Sequence, residues 1–227
     1  KGATIMNIIL PTKNLRTKVF LIKDGILYLR YGQSFQNAIY SLTYFMKGKR
    51  FCYYCKKSFP RNEITMDHMY PRSTGGPTIA QNLIPSCKGC NSKKKDMTFE
   101  QYQHFLAISS DIGRKMYLAK VSSFKEGIKA IGMFEIPNNW ITPVKVDAIH
   151  TQIDLSDISE QKLKKAISYY QQHHQFQKAI ILDRNFFSLD GLYVLLVAKS
   201  CEVEYVPAIV LENVEVRQNR NIKISKR

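Results

Sequence analysis

Two Cys-x-x-Cys pairs constrain this chain more than any other feature. Cys52 with Cys55 forms the first pair and Cys87 with Cys90 the second, with 31 residues between the pairs. Four thiolates around one Zn²⁺ make a closed tetrahedral site, which contributes folding energy but leaves no open position for a substrate. We therefore expect a structural zinc site that holds the intervening residues in place. The alternative is two disulfides, which a reducing compartment disfavours.

The start of the chain and its hydropathy bear on where the protein works. KGATIMN has neither the apolar core nor the cleavage site of a signal peptide. No apolar run reaches the length of a membrane span. We expect a cytoplasmic protein with no membrane segment, and its 227 residues allow one large domain or two small ones.

The charge is strongly positive and unevenly distributed. A net charge of +16 indicates a polyanionic partner, although a membrane surface would also attract a basic protein. Residues 1–120 carry 20 Lys and Arg against 6 Asp and Glu, whereas residues 121–227 carry 14 against 12. The basic character therefore belongs to the half that contains the cysteine pairs.

Hydrophobic periodicity and turn residues predict an α+β chain. In the first half, the predicted elements are two strands within 18–30 around an Asp24-Gly25 turn, a helix from Ser34 to a stop at Gly48, a helix from a Thr98–Gln101 capping box to about Ile108, and a mixed segment 111–136 with a helix around Phe124 to Ile131.

Prolines predict the division of the chain. Pro137 and Pro143 should interrupt regular structure and separate residues 1–136, with a core motif at 51–110, from a second unit. We expect a linker at 137–144, a small α/β domain at 145–216 and a basic tail at 217–227. The elements predicted after the prolines are a strand at Val144–Ile149, a helix at Glu160–His173, a strand at Ala179–Leu182, a helix at Leu192–Ser200 and a strand at Tyr205–Leu211.

Polar and glycine residues follow a distinctive order between the cysteine pairs. The order is Asp67-His68, Pro71, Gly75-Gly76, Asn82-Leu83, and Asn91 directly after the last cysteine. Here the chain resembles the HNH endonucleases, whose ββα-metal motif commonly reads as a Cys-x-x-Cys knuckle, Asp-His-x-x-Pro, Gly-Gly, Asn-Leu and Cys-x-x-Cys-Asn. Asn91 stands where the family name implies histidine, which makes this an HNN variant.

The resemblance implies a role for each motif residue. His68 would be the general base, and Asp67 and Asn91 would supply oxygen ligands to one catalytic Mg²⁺ or Mn²⁺. Asn82 would fix the loop that aims His68. Phosphodiester hydrolysis needs such a base and such a cation, and a histidine is neutral near neutral pH. The substrate would be double-stranded DNA, with 5′-phosphate and 3′-hydroxyl products and a homodimer if both strands are cut.

Basic residues near the motif are candidates for contacts with DNA phosphates. They are Arg72, which follows Pro71 in an order that differs from the frequent Pro-x-Ser-Arg, and the run Lys93, Lys94 and Lys95. Such contacts give salt-dependent affinity for any sequence. A lysine run is also typical of a solvated helix face that contacts nothing.

The second half more faintly resembles the ParB/sulfiredoxin-like fold. The residues that carry this resemblance are VKVDAIHTQIDL from Val144, Leu182-Asp183, Leu189-Asp190-Gly191, Ala198-Lys199 and Val206-Pro207-Ala208-Ile209-Val210. Nucleotide-handling members of that family place an arginine shortly after the Asp-Gly turn, where this chain has Leu192, Tyr193 and Val194. Phosphate binding by this half is therefore not expected.

The sequence predicts a zinc-stapled HNH nuclease domain followed by a small ParB-like domain. Two other functions stay open. A zinc-stabilised nucleic-acid-binding protein without catalysis would use the cysteines and the basic charge, but would not need Asp67, His68 and Asn91. A redox or protein-interaction protein centred on the second half would need a functional Cys201.

Overall fold

The computed structural model describes residues 6–9, 19–23, 26–30, 34–47, 51–130, 135–151 and 158–217. Helices and strands are mixed along these ranges, which confirms the predicted α+β class. The strands are β1 (Met6–Ile9), β2 (Val19–Lys23), β3 (Ile26–Arg30), β4 (Ile64–His68), β5 (Leu83–Cys87), β6 (Thr142–Lys145), β7 (Ile180–Asp183), β8 (Ser188–Asp190), β9 (Tyr205–Leu211) and β10 (Val214–Arg217). The helices are α1 (Phe35–Lys47), α2 (Lys88–Lys94), α3 (Phe99–Ala107), α4 (Asp111–Ala130), α5 (Glu160–His173) and α6 (Leu192–Ser200).

The cysteine region folds as a hairpin followed by a helix. Strands β4 and β5 pair antiparallel, with His68 opposite Leu83. Helix α2 begins directly after β5, because Cys87 caps it by accepting a hydrogen bond from the backbone N–H of Cys90 at 3.4 Å. The result is the ββα arrangement that the motif implied, and helix α1 packs across both strands.

The other strands in the described residues form two four-stranded sheets. The first has the order β1-β2-β3-β10, and the second has the order β6-β9-β7-β8. In the first sheet β10, from the end of the chain, runs parallel to β3, with Val214 opposite Leu27. In the second sheet β7 and β9 are parallel because α6 crosses between them.

Most of the predicted elements are present. The two strands within 18–30 are β2 and β3, the predicted bounds of α5, α6 and β9 match the structure, and the capping box of Thr98 and Gln101 begins α3. The strand predicted at Ala179–Leu182 is shifted by one residue in β7. The Asp24-Gly25 turn, the Gly48 stop and all but the first residue of the basic tail lie outside the described residues.

Three predictions about the middle of the chain differ from the structure. The start of the segment predicted as mixed is one helix, since α4 runs unbroken over Asp111–Ala130 and includes all of the described part of the helix predicted around Phe124 to Ile131. Pro143 does not interrupt regular structure either, because it lies inside β6. That strand is at the edge of its sheet, where a missing N–H is tolerated. The strand predicted to reach Ile149 ends at Lys145 and gives way to a 3-10 turn.

One apolar cluster contains residues from both halves of the chain. It combines β3 and β10 of the first sheet, α1, the β4–β5 hairpin and the second sheet through these buried side chains: Leu27, Leu29, Phe35, Ala38, Ile39, Ile79, Leu83, Ile136, Ala179, Ile181, Ile209, Leu211 and Val214. The division of the chain at 137–144 stays a prediction, and these contacts cross it.

None of the helices in the described ranges has both the length and the apolar character that crossing a bilayer requires.

Candidate metal and active site

The four paired cysteines meet at one point. Their sulfur atoms all lie within 4.8 Å of one another, which is within reach of a single Zn²⁺ with Zn–S bonds of about 2.3 Å. All five cysteines of the chain are free thiols, so the structure has the cluster and not the two disulfides. Burial opposes ionisation of Cys52, but hydrogen bonding to backbone groups of Cys87, Cys55 and Tyr54 outweighs it and lowers the pKa of Cys52 to about 7. A thiolate is the form that binds a metal.

The backbone of the first knuckle turns tightly around its sulfurs. The N–H of Cys52 donates to the carbonyl of Lys57 at 2.9 Å, and the N–H of Lys56 donates to the carbonyl of Cys52 at 3.0 Å. Aromatic side chains close over the cluster, with the rings of Tyr54 and Tyr102 in an edge-to-face contact at 4.9 Å. The cluster is therefore part of a packed core and is closed to a substrate.

His68 lies at the end of β4 in a largely desolvated position. Its Nε2 is 2.9 Å from the hydroxyl of Thr78, and the ring of Tyr40 on α1 meets it edge-on at 6.0 Å. Burial lowers the pKa of His68 to about 4, and the positive charges of Arg72 and Lys94 add to this shift. The imidazole is therefore neutral throughout the neutral pH range and is able to accept a proton.

Asp67 points to the opposite side of β4 and forms a buried ion pair. Its carboxylate accepts a hydrogen bond from the Tyr54 hydroxyl and lies 3.2 Å from Nζ of Lys94. The Lys94 ammonium also donates to the carbonyl of His68 at 2.7 Å. Burial raises the pKa of Asp67 and lowers that of Lys94, in each case against the attraction of the partner charge.

This pairing corrects one predicted phosphate contact. The side chain of Lys94 is only 1% exposed, so its ammonium does not face a DNA backbone in this structure. Lys93 and Lys95 are exposed, as predicted for the run. The reason is helical geometry: successive residues point about 100° apart, so one of three neighbours turns inward.

Asn91 lies on α2, where that helix packs on β4. Its Nδ2 donates to Oγ1 of Thr65 at 3.0 Å. Thr65 precedes Asp67 by two residues on the same strand, so both side chains lie on the same face of the hairpin. The structure therefore places the two oxygen-bearing residues, Asp67 and Asn91, on the same side of β4.

Asn82 closes the loop between the two strands. Its fully buried amide accepts from the N–H of Tyr70 at 2.8 Å and donates to the carbonyls of Tyr70 at 3.0 Å and Pro77 at 2.8 Å. The backbone at Gly76 passes close to the carbonyl of Tyr70. Only glycine fits there, since a Cβ at that position would lie 1.8 Å from the Tyr70 carbonyl oxygen. The loop is thus fixed on the residues that follow His68. That this contact aims His68 for catalysis stays a prediction.

Arg72 is exposed at the start of the short 3-10 turn of this loop. The positive charge of Arg72 contributes to lowering the pKa of His68. Arg72 is therefore placed beside the candidate base and faces solvent.

Sequence reasoning missed two residues of this site, Thr78 and Tyr40, and gave a third, Lys94, the wrong surroundings. Thr78 contacts His68, Tyr40 covers it, and Lys94 neutralises Asp67. Only the spacing of Lys94 on α2 carried a signal, because a lysine three positions after Asn91 returns to the face of the helix that meets β4. Thr78 and Tyr40 reach the site through the loop and α1, and no local pattern marks them.

Hairpin, helix and thiol cluster together form a ββα unit with an Asp-His step at the end of its first strand. Residues 52–106 match the family model described as HNH endonuclease, which confirms the resemblance in this segment. No curated protein matches the chain. The resemblance of residues 145–216 to the ParB/sulfiredoxin-like fold stays a prediction.

The buried ion pair gives a stability prediction. Lys94→Met should lower the free energy of unfolding by about 3–5 kcal/mol, because it leaves the Asp67 carboxylate buried without a cation. Lys93→Met, at an exposed neighbour, should change it by less than about 0.5 kcal/mol. Urea denaturation of both variants measures the difference. Adding Asp67→Asn to Lys94→Met should recover much of the loss, and a double variant as unstable as Lys94→Met alone would contradict the pairing.

The surroundings of His68 give a pH prediction. Its ring should titrate near pH 4 and not near 6.5 when followed by NMR in protein without added Mg²⁺ or Mn²⁺. Arg72→Gln should raise this midpoint because it removes a nearby positive charge. Since the folded state resists protonation of His68, the protein should lose stability as pH falls from about 6.5 toward 4. The NMR signal of His68 is assigned by its absence from the spectrum of His68→Gln. A titration midpoint at the ordinary value for histidine would refute the desolvated environment.

Proposed function

We propose that this protein is a divalent-metal-dependent endonuclease that hydrolyses phosphodiester bonds of double-stranded DNA. The observation that carries the proposal is the neutral imidazole of His68 at the end of β4, in a segment that matches the HNH endonuclease family and that carries Asp67 and Asn91 on the other side of the same strand. A protein that only binds nucleic acid does not need a desolvated histidine at this position of the motif.

His68 acts as the general base. In the tautomer that donates Nε2–H to the Thr78 hydroxyl, which lies 2.9 Å away, the lone pair of the ring is on Nδ1. Nδ1 takes a proton from water as the water oxygen bonds to phosphorus. The bond from phosphorus to O3′ breaks, and O3′ takes a proton from solvent, which gives 5′-phosphate and 3′-hydroxyl ends. Thr78 and the ring of Tyr40 orient the imidazole for this transfer.

Asp67 and Asn91 are the residues that would hold Mg²⁺ or Mn²⁺, both of which prefer oxygen ligands. The donor set fits a cation, because the buried Asp67 carboxylate already binds one in the form of the Lys94 ammonium at 3.2 Å. A metal ion would take the place of that ammonium as the partner of Asp67. When bound, the ion stabilises negative charge on the phosphate and on the leaving oxygen.

Three exposed cations support binding to the DNA backbone. Arg72 lies beside His68, and Lys93 and Lys95 flank the inward-facing Lys94 at the end of α2. They belong to the half of the chain that carries nearly all of the net positive charge. Contacts of this kind bind DNA of any base sequence and weaken as the salt concentration rises. They therefore position the duplex without selecting a site.

The four-cysteine cluster holds a structural Zn²⁺ in this proposal. The purified protein should contain one zinc per chain by elemental analysis, and Cys90→Ser should lose both the metal and the folded state, because three thiolates do not close the tetrahedral site. Cys201→Ser, outside the cluster, should keep the zinc and the activity. Full zinc content in Cys90→Ser would contradict the assignment, and loss of function in Cys201→Ser would favour the redox alternative.

A zinc-stabilised nucleic-acid-binding protein without catalysis is the second candidate. The observation in its favour is the occupied carboxylate of Asp67, which has Tyr54 and Lys94 as partners. If the ammonium is never displaced, the metal that hydrolysis needs has one ligand fewer.

Plasmid cleavage separates the two candidates. With Mg²⁺ or Mn²⁺ the wild type should nick or cut supercoiled DNA, and His68→Ala should be slower by about 10²–10⁴-fold while binding DNA equally well in a mobility-shift assay. His104→Ala, an exposed histidine on α3 away from the motif, is the matched control and should cleave normally. Equal cleavage by wild type and His68→Ala would refute the mechanism. Binding by the wild type without cleavage in either metal would favour the second candidate.

A further inference from the structure

The first cysteine knuckle presents two aromatic side chains to solvent. Phe51 is 36% exposed and Tyr53 is 40% exposed, although both are next to the fully buried Cys52. Their rings meet edge to face, with centroids 6.4 Å apart. Tyr54, the next residue, is buried against Tyr102 in the core around the thiol cluster. The knuckle therefore turns one tyrosine into the core and the other outward.

The backbone beneath the two exposed rings is held in place. The N–H of Tyr53 donates to the carbonyl of Pro85 on β5 at 3.0 Å, and Phe51 forms a β-bridge with Ser58. A side chain on a fixed backbone loses less conformational freedom on binding a ligand than one on a mobile loop. The two rings are thus a preorganised apolar surface.

Exposed lysines lie next to the rings. Nζ of Lys56 is 5.6 Å from the centroid of the Tyr53 ring, and Lys57 follows it in the knuckle. Lys88 comes from the second knuckle, which the thiol cluster brings against the first. We call this surface the knuckle face, and it consists of Phe51, Tyr53, Lys56, Lys57 and Lys88.

The charge of the knuckle face has one sign. Residues 51–62 include three basic residues and no acidic one, and α2, which begins at Lys88, has no acidic residue either. The acidic residue that follows along the chain is Glu63, which shares a short 3-10 turn with the basic Arg61. The face therefore suits a polyanion.

The rings indicate which form of polyanion fits. Lysines alone would serve the backbone of a DNA duplex, but the bases of a duplex are stacked on one another and offer no free face to a protein ring. Unpaired bases do offer one, and they stack on aromatic side chains whatever their identity. A surface that combines lysines with exposed rings fits a strand whose bases are unpaired.

The knuckle face is close to the candidate active site. Ile64 pairs with Cys87 at the knuckle end of the β4–β5 hairpin, and His68 pairs with Leu83 at the other end. These ends are four residues apart, or about 13 Å along a strand. The residue that binds the Tyr53 N–H, Pro85, lies midway between them. One DNA molecule is therefore long enough to contact both places.

We propose that the knuckle face binds unpaired nucleotides, so that the preferred ligand of this protein is DNA with a single-stranded stretch next to a duplex. Phe51 and Tyr53 stack on bases, and the three lysines contact phosphates of the same strand. That the ligand is DNA, and that it is cut beside the unpaired stretch, rests on the proposed function. Because stacking tolerates every base, the protein would select a junction in DNA and not a base sequence.

Fluorescence anisotropy without added Mg²⁺ or Mn²⁺ tests the proposal by binding alone. The probes are a blunt duplex, the same duplex with an unpaired overhang, and that overhang with abasic sites that keep every phosphate. The intact overhang should bind about 5–100-fold more tightly than the blunt duplex, and the abasic overhang should lose most of this gain. Equal affinity for the blunt duplex and the intact overhang would overturn the proposal, and so would equal affinity for the intact and abasic overhangs.

Variants of the exposed tyrosine locate the binding surface. Tyr53→Ala should bind the intact and abasic overhangs equally and the blunt duplex as the wild type does, whereas Tyr53→Phe keeps a ring and should keep the preference. Tyr205→Ala, at a tyrosine of the second sheet that is 48% exposed, is the matched control and should behave as the wild type. A Tyr53→Ala protein with an unchanged circular dichroism spectrum and an unchanged preference would overturn the assignment to the knuckle face.

The abasic probe keeps this test independent of how well a variant folds, since it removes the stacking partner from the DNA and leaves the protein unaltered. A wild type that cleaves no DNA would contradict the proposed function but would leave these binding measurements unchanged. The failure of either proposal is therefore recognisable separately.

Discussion

A carboxylate in the interior of a protein has to be matched by a cation, and the pair formed by Asp67 and Lys94 organises the region around it. An unpaired buried charge would cost several kcal/mol, which makes the position of each partner strongly constrained. The Lys94 ammonium joins α2 to β4 through Asp67 and to the end of the strand through the carbonyl of His68. Tyr54, from the first knuckle, holds the same carboxylate. The ion pair therefore connects the same segments as the thiol cluster does. The small ββα unit is stabilised by two independent interactions, the Asp67–Lys94 ion pair and the four-cysteine cluster.

Successive side chains of a β-strand point to opposite faces, which explains why two adjacent residues have different surroundings. Asp67 and His68 point to opposite faces of β4, so each has its own set of neighbours. Asp67 faces α2, where the Lys94 ammonium lies 3.2 Å from its carboxylate. His68 faces the loop that Asn82 closes and finds a hydroxyl and an aromatic ring, with Arg72 and Lys94 as the nearby charges. The two adjacent positions therefore differ in their surroundings, since one has an ammonium group beside it and the other has a hydroxyl and an aromatic ring.

Much of the central site could be predicted because its residues act through local spacing. The knuckles, the Asp-His step, Asn82 and Asn91 are fixed by the turns and helix in which they lie, and residues 52–106 match a family on that basis. Thr78 and Tyr40 could not be predicted, because they reach His68 through the tertiary path of a loop and of α1. Lys94 was assigned to the wrong surroundings because composition alone does not show which lysine of a run turns inward. The continuity of α4 was missed for a related reason, since Ile112 and Met116 on its outer side blur the period that marks a one-sided helix.

The pairing of β10 with β3 sets the order in which the protein is completed during synthesis. Strand β3 and helix α1 emerge early, but the cluster in which they are buried also needs β7, β9 and Val214. The buried carboxylate of Asp183 reinforces this closure, since it accepts the N–H of Val216 at 2.8 Å. Long-range contacts of this kind form late, because most of the chain has to be made before they become available. The support behind α1, and with it the position of Tyr40 against His68, is therefore finished only after residues 205–217 have left the ribosome.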